Sequence, residues 1–459
     1  MLLFSIVLLI ASLVFSVFAW RRGRPRIWIF PSDALFIACF AFVGLAPLLN
    51  LRAITTFSVN YHYDDVVISR ALFGIALMFT MFGLVWMFRP VIRLKSLMDG
   101  TVGDPRIAQA LFLGTLGLCA VSLLLMYFDP EYARFRLDVV SFITGSLSGL
   151  DYQFSRRFAY NDNVLISGII SRLRYSVFAF GFAISAAYLT MKSKNYFATW
   201  GILATMFFLL SSSVSKLPFL YFFLYATLIY ILLKTKASLL TARSVMPTVG
   251  IGAAVTLVFL SGLYMIQYPT IYIGVPGFMS AFSVALYRVF GAAYDGVLQY
   301  FTVYPAVYDF AYFADSSIVA FIFGMEPRET ILEVPVYFLG ESQYGKTTTP
   351  TIFIGGAYAS LGYIGVAIFS LLVATFAAWV DHVISILRQG YLRVSVYATM
   401  MLNILFFSMV AAPTALLTYG CVIIPLAALF LDGQLLKRNR SPVHTPVVGP
   451  ANPIPEART

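Results

Sequence analysis

The segment VISRALFGIALMFTMFGLVWMF, residues 67–88, contains one charged side chain, Arg70. A run of about 20 apolar residues is the length that a helix needs to cross the hydrocarbon layer of a membrane. The rest of the chain has the same character, because 60% of its residues are hydrophobic and 11% are charged. This composition is far from that of soluble globular domains, and it predicts an all-α polytopic membrane protein.

Apolar runs of this length recur along the whole chain, and we count about eleven of them. They are predicted near residues 2–19, 32–51, 67–88, 107–128, 175–191, 196–212, 217–233, 245–266, 361–380, 394–412 and 414–431. Short clusters of lysine and arginine separate them alternately, beginning with the arginines of residues 21–26. Because basic loops stay in the cytoplasm, this pattern predicts an N-terminus on the outer side and a cytoplasmic C-terminus.

The net charge of +11 lies mainly in these clusters, so it indicates topology and not nucleic-acid binding. Cys39, Cys119 and Cys421 fall inside apolar runs and show neither a disulfide framework nor the spacing of metal ligands. The sequence therefore predicts no metal site and no cofactor. Residues 1–431 are predicted to form a single membrane domain, and the polar, Pro-rich residues 432–459 a disordered cytoplasmic tail.

Arginines occur on the predicted outer side in residues 129–174, where the orientation rule disfavours them. They are Arg134, Arg136, Arg156, Arg157, Arg172 and Arg174. A guanidinium can bind two phosphate oxygens at once, so these arginines are candidates to hold a lipid-linked substrate by its phosphates. Lys216, in the Ser-rich outer turn 211–218, is a further candidate. The alternatives are contacts with lipid headgroups or nearby acids for the arginines, and a simple hairpin for the turn.

Residues 267–359 form the longest segment without membrane-spanning character. Apolar residues recur at helical spacing over Phe278–Phe301, which predicts an amphipathic helix at the outer interface. Arg288, Asp295 and Gln299 are seven and eleven positions apart, so they share its polar face. This face is predicted either to line a substrate groove, with Arg288 as a catalytic residue, or to be a solvated surface with a weak ion pair.

Carboxylates on the predicted outer side are candidates for a general base. Asp64 and Asp65 are adjacent in the first outer loop, and Glu341 lies with other glutamates in the long outer segment. His62, two positions before Asp64, is the one histidine on the predicted outer side and is a candidate as well. A base of this kind takes a proton from an attacking hydroxyl. The alternative for each of the carboxylates is a solvated acid in an aqueous loop.

Residues 340–347, GESQYGKT, match the phosphate-loop pattern G-x-x-x-x-G-K-[ST]. Such a loop needs a strand before it and a helix after it. Residues 331–339 can pass for a strand, but Thr348, Thr349 and Pro350 make a poor helix start. The predicted topology also places this segment away from cytoplasmic ATP, so we do not expect a nucleotide site.

The layout of the chain resembles that of the Wzy-type O-antigen and oligosaccharide repeat-unit polymerases of bacterial inner membranes, and more distantly that of O-antigen ligases. Shared features are many spans, outward arginines, a Ser-rich turn ending in a cation and a long late outer loop. That loop ends in the pattern T-x-P-x4-G-x2-Y-x3-G. The matching residues are Thr348, Pro350, Gly355, Tyr358 and Gly362.

The resemblance implies a GT-C-like fold and a reaction at the periplasmic face. A glycan on undecaprenyl diphosphate would be transferred to a sugar hydroxyl of a second lipid-linked repeat unit, by inverting and metal-independent chemistry. Essential arginines would be Arg156 or Arg157 and Arg288. Membrane lipids and a chain-length regulator protein would be partners. Three alternatives remain. The first is an O-antigen ligase, although ligases of this group use a histidine in the late outer loop and this sequence has none there. The others are a flippase or exporter of lipid-linked oligosaccharide, and a single-addition transferase centred on Asp64 and Asp65.

Overall fold

The computed structural model describes residues 1–22, 29–48, 63–89, 273–287, 291–315, 323–340, 351–388, 390–408 and 420–439, with shorter pieces between them. Every regular element in these residues is a helix, which confirms the predicted all-α class. The helices are α1 (Leu2–Arg22), α2 (Pro31–Cys39), α3 (Asp65–Phe88), α4 (Gly274–Leu286), α5 (Ala292–Val303), α6 (Thr330–Leu339), α7 (Phe353–Ile386), α8 (Gly390–Asn403) and α9 (Ile423–Asn439). Helix α2 continues through a π-helical segment, Phe40–Leu45, to Leu48, and α8 continues as a 3-10 segment, Ile404–Ser408.

Four helical segments are long and apolar enough to cross a membrane: Leu2–Arg22, Pro31–Leu48, Asp65–Phe88 and Phe353–Ile386. They coincide with the first, second, third and ninth predicted runs. Large apolar side chains such as Phe4, Val14 and Ile364 are exposed on them. Exposed apolar surface of this extent is compatible with lipid and not with water. The protein is therefore a membrane protein. Helices α8 and α9 are shorter and occupy the last two predicted runs, and most of the fourth to eighth runs lies outside the described residues.

Small side chains join α1 to α3. An added Cβ on Gly83 would stand 2.6 Å from Cε1 of Phe15. The hydroxyl of Ser16 donates to the carbonyl of Phe79, and the hydroxyls of Thr80 and Ser12 are 3.1 Å apart. Helices in lipid associate through close packing and hydrogen bonds of this kind, because lipid tails are as apolar as leucine. This contact fixes α3 against the N-terminal helix.

Replacing Gly83 with valine should separate α1 from α3, because the new side chain would overlap Phe15. We expect a loss of about 1–3 kcal/mol in the free energy of unfolding, the usual effect of overpacking. Unfolding in mixed detergent micelles measures this loss. Gly114→Val is the matched control, since no described atom lies within 4 Å of a Cβ built there. Equal stability of the two variants would contradict the described packing.

A buried charged cluster lies where α3 ends. The Nη1 atom of Arg89 is 3.8 Å from Oδ2 of Asp381 and donates to the hydroxyl of Ser32 at 3.1 Å. Close by, the indole of Trp20 donates to Asp33 at 2.7 Å. Asp33 and Asp381 are fully buried. The cluster therefore joins α1, α2, α3 and α7 at one end of the helical domain.

Arg70 lies near the opposite end of α3. From Arg70 to Arg89 the helix rises about 28 Å, at roughly 1.5 Å per residue. The hydrocarbon layer of a membrane is about 30 Å thick. The two arginines therefore lie close to opposite borders of the layer that α3 can cross.

Helix α7 has a break at Leu361 and Gly362. Gly362 has φ +61°, a left-handed conformation that favours glycine, and an added Cβ would meet Phe310 at 3.1 Å. Ahead of the break, the carbonyls of Ala359 and Ser360 accept hydrogen bonds from the N–H groups of Ala311 at 2.8 Å and Tyr312 at 2.9 Å. The break thus fixes the segment 304–315 against α7. Helix α7 begins at Phe353, ahead of the run predicted from residue 361, so its first turns come from the segment that we assigned to the outer loop.

The tail predicted from residue 432 overlaps the last described helix. Helix α9 runs past Asp432 to Asn439. Asp432 is buried, and its carboxylate oxygens accept from the backbone N–H of Arg388 at 3.3 and 3.4 Å. This contact gives the end of the helix a partner in the loop after α7, which composition alone did not indicate. Residues after 439 lie outside the described part of the chain.

Candidate functional site

Arg70 is a cation inside a membrane-capable helix, and its partners are neutral. Its Nη2 atom donates to the hydroxyl of Tyr358 at 2.6 Å and to the carbonyl of Tyr304 at 3.4 Å. The hydroxyl of Tyr363 donates to the backbone carbonyl of Arg70 at 3.2 Å. Among the described residues no carboxylate forms an ion pair with this guanidinium. Its charge is therefore available to an anion.

A second arginine, Arg328, binds Glu333 through two N–H groups of its guanidinium. Its Nε atom is 3.0 Å from Oε1 and its Nη2 atom 2.8 Å from Oε2. The remaining Nη1 atom donates to the carbonyl of Asp309 at 3.0 Å. These hydrogen bonds to Glu333 raise the pKa of Arg328 above its ordinary value. The hydroxyl of Tyr304 also donates to Glu333, and burial raises the pKa of that phenol. Three donors therefore engage the Glu333 carboxylate.

Asp315 lies beside Arg328 at the end of the segment fixed on α7. Its Oδ1 atom accepts a hydrogen bond of 2.9 Å from the hydroxyl of Ser360. The backbone N–H of Arg328 donates to the carbonyl of Ala314 at 2.9 Å, which keeps the two residues together. Burial raises the pKa of the Asp315 carboxyl above its ordinary value. Asp315 is thus a carboxylate close to a cation and only partly surrounded by donors.

These contacts connect one group of residues, which we call the two-arginine cluster. It comprises Arg70, Tyr304, Asp315, Arg328, Glu333, Tyr358 and Ser360. Tyr304 links the two arginines on one side, through its carbonyl to Arg70 and through its hydroxyl to Glu333. Helix α7 connects the same two regions on the other side. Its Tyr358 binds Arg70, and its Ser360 binds Asp315, which lies beside Arg328. The cluster therefore joins α3, α6, α7 and the segment after α5.

Aromatic rings hold Tyr358 in place. Phe301 stacks on it with 3.6 Å between ring centroids, Tyr363 is at 5.4 Å, and Phe310 meets it edge-on at 5.9 Å. An added Cβ on Gly74 of α3 would stand 2.6 Å from Phe301, so α3 and α5 also approach closely here. A side chain whose rotamer is fixed by packing can present its hydroxyl in one position. Arg70 is consequently oriented by a rigid partner.

Asp64 and Asp65 are outside this cluster. Asp64 occupies the N-cap position of α3 and Asp65 its first turn, and both are exposed. Negative charge at a helix N-terminus is favourable because of the helix dipole. No hydrogen bond or ion pair joins either side chain to another described residue. Their position therefore fits the solvated alternative, with a role in starting α3.

Most of the other predicted site residues lie outside the described residues. They are Arg136, Arg156, Arg157, Arg172, Lys216, Arg288 and Glu341. Their proposed roles stay predictions. His62 lies outside the described residues as well.

The helix predicted over Phe278–Phe301 corresponds to two helices, α4 and α5, and residues 288–290 between them lie outside the described part. Asp295 is buried and accepts a hydrogen bond from the hydroxyl of Tyr287. Gln299 accepts from the hydroxyl of Thr349 at 3.1 Å. Asp295 therefore packs against its own chain, and the two interpretations of the face around Arg288 stay open.

The segment that could pass for a strand before residues 340–347 is helix α6. It ends at Gly340, which has φ +88°. A phosphate loop requires a strand at this place, so the helix weighs further against a nucleotide site. Residues 341–348 themselves lie outside the described part.

Members of the cluster without a functional role in the sequence interpretation include Arg70, Tyr304, Asp315 and Ser360. Arg70 had a visible signal, since it is the one charge in residues 67–88. Asp315 and Ser360 had none, because their contact spans 45 positions of sequence and follows no periodic pattern. Over the described residues, no group of three His, Cys, Asp or Glu side chains is placed to hold a metal ion.

Comparisons with protein-family models, with curated proteins and with solved structures find no match to this chain. The two-arginine cluster is therefore interpreted from its own geometry.

Proposed function

We propose that the protein is a Wzy-type membrane glycosyltransferase. It transfers a growing glycan from undecaprenyl diphosphate to a sugar hydroxyl of another lipid-linked repeat unit. In this proposal the chain has about eleven spans in a GT-C-like arrangement, lies in the bacterial inner membrane with its N-terminus in the periplasm, and carries the two-arginine cluster at the periplasmic border.

The observation that carries the proposal is the environment of Arg70. A charged side chain within a membrane span is energetically costly, and such residues usually mark functional sites. Within the described residues Arg70 has tyrosine and carbonyl partners only, whereas Arg328 is paired with Glu333. Arg70 is therefore a positive charge at the border of the span that is not paired directly with a described carboxylate. A diphosphate at a membrane surface is an anion of matching chemistry, because a guanidinium binds phosphate oxygens in pairs.

The same geometry suits the transfer reaction. When the bond between the sugar and the diphosphate breaks, negative charge increases on the departing phosphate oxygen. A cation held in place by Tyr358 and Tyr304 stabilises that charge without having to reorganise. We therefore assign Arg70 to the diphosphate and leave Arg156, Arg157 and Arg288 as further candidates for the same anion.

The proposal is tested with purified protein in nanodiscs and a synthetic undecaprenyl-diphosphate-linked repeat unit, without added nucleotide. A ladder of products on a gel is the expected result. A single added unit would favour a single-addition transferase. Transfer to lipid A core alone would favour a ligase, and transport of the substrate across vesicles without any product would favour a flippase.

A further inference from the structure

Within the described residues, three acidic side chains interact with the charge of Arg328, and they differ in what they can do. Glu333 accepts hydrogen bonds from the Nε and Nη2 atoms of Arg328 and from the hydroxyl of Tyr304. Asp309 is exposed and contributes its backbone carbonyl to Arg328. Asp315 is half-buried, and the hydroxyl of Ser360 is its one side-chain donor among the described residues. Of the three, Asp315 alone combines a defined position with free acceptor capacity.

The backbone around Asp315 is held on both sides. Ala311 and Tyr312 bind the carbonyls ahead of the break in α7, and Ala314 accepts from the N–H of Arg328. Between these contacts Tyr312 and Phe313 have φ values of 48° and 68°. Two consecutive non-glycine residues in the left-handed region are strained, and such strain persists only where the surroundings enforce it. Here it turns the chain so that Asp315 meets Ser360 beside Arg328, and backbone strain of this kind concentrates at active sites.

We propose that Asp315 is the general base of the transfer reaction and takes the proton from the acceptor sugar hydroxyl. This inference rests on the proposed glycosyl transfer. The acceptor oxygen forms a bond to the anomeric carbon while the bond from that carbon to the diphosphate oxygen breaks, and the electron pair leaves with the diphosphate. The proton passes from the acceptor hydroxyl to the carboxylate of Asp315 and afterwards to water. One displacement of this kind inverts the configuration at the anomeric carbon.

The charges that face Asp315 suit this role. Burial raises the pKa of its carboxyl, and the negative charge of Glu333 on α6 acts in the same direction. The hydrogen bond from Ser360 on α7 and the positive charge of Arg328 lower that pKa. The phenol of Tyr300 on α5 also faces it. A base is most effective when its pKa approaches the pH at which the enzyme works, so a raised value favours proton transfer. Because the base must be ionised, activity should fall as the pH falls through this pKa.

The test is the pH dependence of kcat/KM in the polymerisation assay. We expect Asp315→Asn to lower kcat by about 10²–10⁴-fold with little change in KM for the donor, since proton transfer contributes about that much. Asp315→Glu should restore part of the rate. Ser360→Ala should move the acidic limb of the profile to higher pH, because the lost hydrogen bond had stabilised the carboxylate. Glu326→Gln, which changes an exposed acid two positions before Arg328, should behave as wild type.

Two controls separate this inference from the proposed function and from misfolding. Binding of the donor lipid by Asp315→Asn should equal that of wild type, which a misfolded variant would not show. A wild-type ladder together with near-normal kcat in Asp315→Asn would overturn the base and leave the glycosyltransferase intact. An acidic limb that stays in place in Ser360→Ala would likewise overturn it. Absence of any transfer by wild type would overturn both.

Discussion

Arg70→Ala is expected to lower the rate of glycan transfer by about 10²–10³-fold, the effect of removing one fixed donor from a developing anion. The substitution removes the charge and also the hydrogen bonds to Tyr358 and Tyr304. Arg70→Lys should recover only part of the rate, because an ammonium keeps the charge but cannot bind two phosphate oxygens side by side. Initial rates with a synthetic diphosphate-linked repeat unit measure both effects.

The matched control for Arg70 is Arg22→Ala. Arg22 is an exposed arginine at the end of α1, distant in sequence from every member of the two-arginine cluster. This variant should polymerise at the wild-type rate. If Arg70→Ala and Arg22→Ala gave the same rate while both proteins stayed folded, the assignment of Arg70 to the diphosphate would be wrong.

The second large effect concerns stability. Asp381→Asn should reduce the free energy of unfolding by about 3–5 kcal/mol, because it removes a buried carboxylate that lies beside the charge of Arg89. Both side chains are almost inaccessible to solvent, with 5% exposed for Arg89 and none for Asp381. The carboxylate also accepts hydrogen bonds from the backbone N–H of Ser32 at 3.2 Å and from its hydroxyl. Denaturant titration in mixed micelles measures the loss.

A double variant separates the effect of the buried charge of Arg89 from the other effects of Asp381→Asn. Arg89→Met combined with Asp381→Asn removes both charges, so it should be less destabilised than the sum of the two single changes. Asp64→Asn, an exposed acid at the start of α3, serves as the control and should stay close to wild type. A loss for Asp381→Asn no larger than for the control would contradict the described cluster.

The membrane helices were predictable because their signal is local. Helices α1, α2 and α3 coincide with the quoted apolar runs to within a few residues, since length and hydrophobicity alone define them. Helix α7 was predicted too short. Its first turns contain Gly355 and Gly356, and glycines are typical of loops. An added Cβ at Gly355 would stand 2.6 Å from Thr351, so this glycine allows Thr351 to pack closely against the helix.

The candidate site was harder to predict because its contacts are non-local. Arg70 binds Tyr358 and Tyr304, which lie more than two hundred positions later in the chain. Periodicity describes one element at a time and gives no information about which elements meet. The arginines in the predicted outer loops became candidates because the orientation rule disfavours them there. Arg70, in contrast, lies near the end of a span, and Asp315 is a single acid in an aromatic segment. The pairing of Arg328 with Glu333, five positions apart, was within the reach of local reasoning.

Tyr358 and Gly362 show how a sequence pattern and a structural cause can coincide. Both belong to the pattern that carries the resemblance to Wzy-type polymerases. In the structure Gly362 allows the break in α7, and Tyr358 presents its hydroxyl to Arg70 just ahead of that break. The pattern therefore includes the glycine that allows the break in α7 and a tyrosine of the two-arginine cluster.

The central claim, that Arg70 binds the diphosphate, is tested most directly by a binding measurement. We would titrate wild type and Arg70→Ala in nanodiscs with a short-chain polyprenyl diphosphate and with the corresponding alcohol. Charge-assisted hydrogen bonds contribute about 1.5–3 kcal/mol each, so the account predicts that Arg70→Ala weakens diphosphate binding by about 10- to 150-fold. Binding of the alcohol should be the same in both proteins. Equal affinity of wild type and Arg70→Ala for the diphosphate would contradict the account.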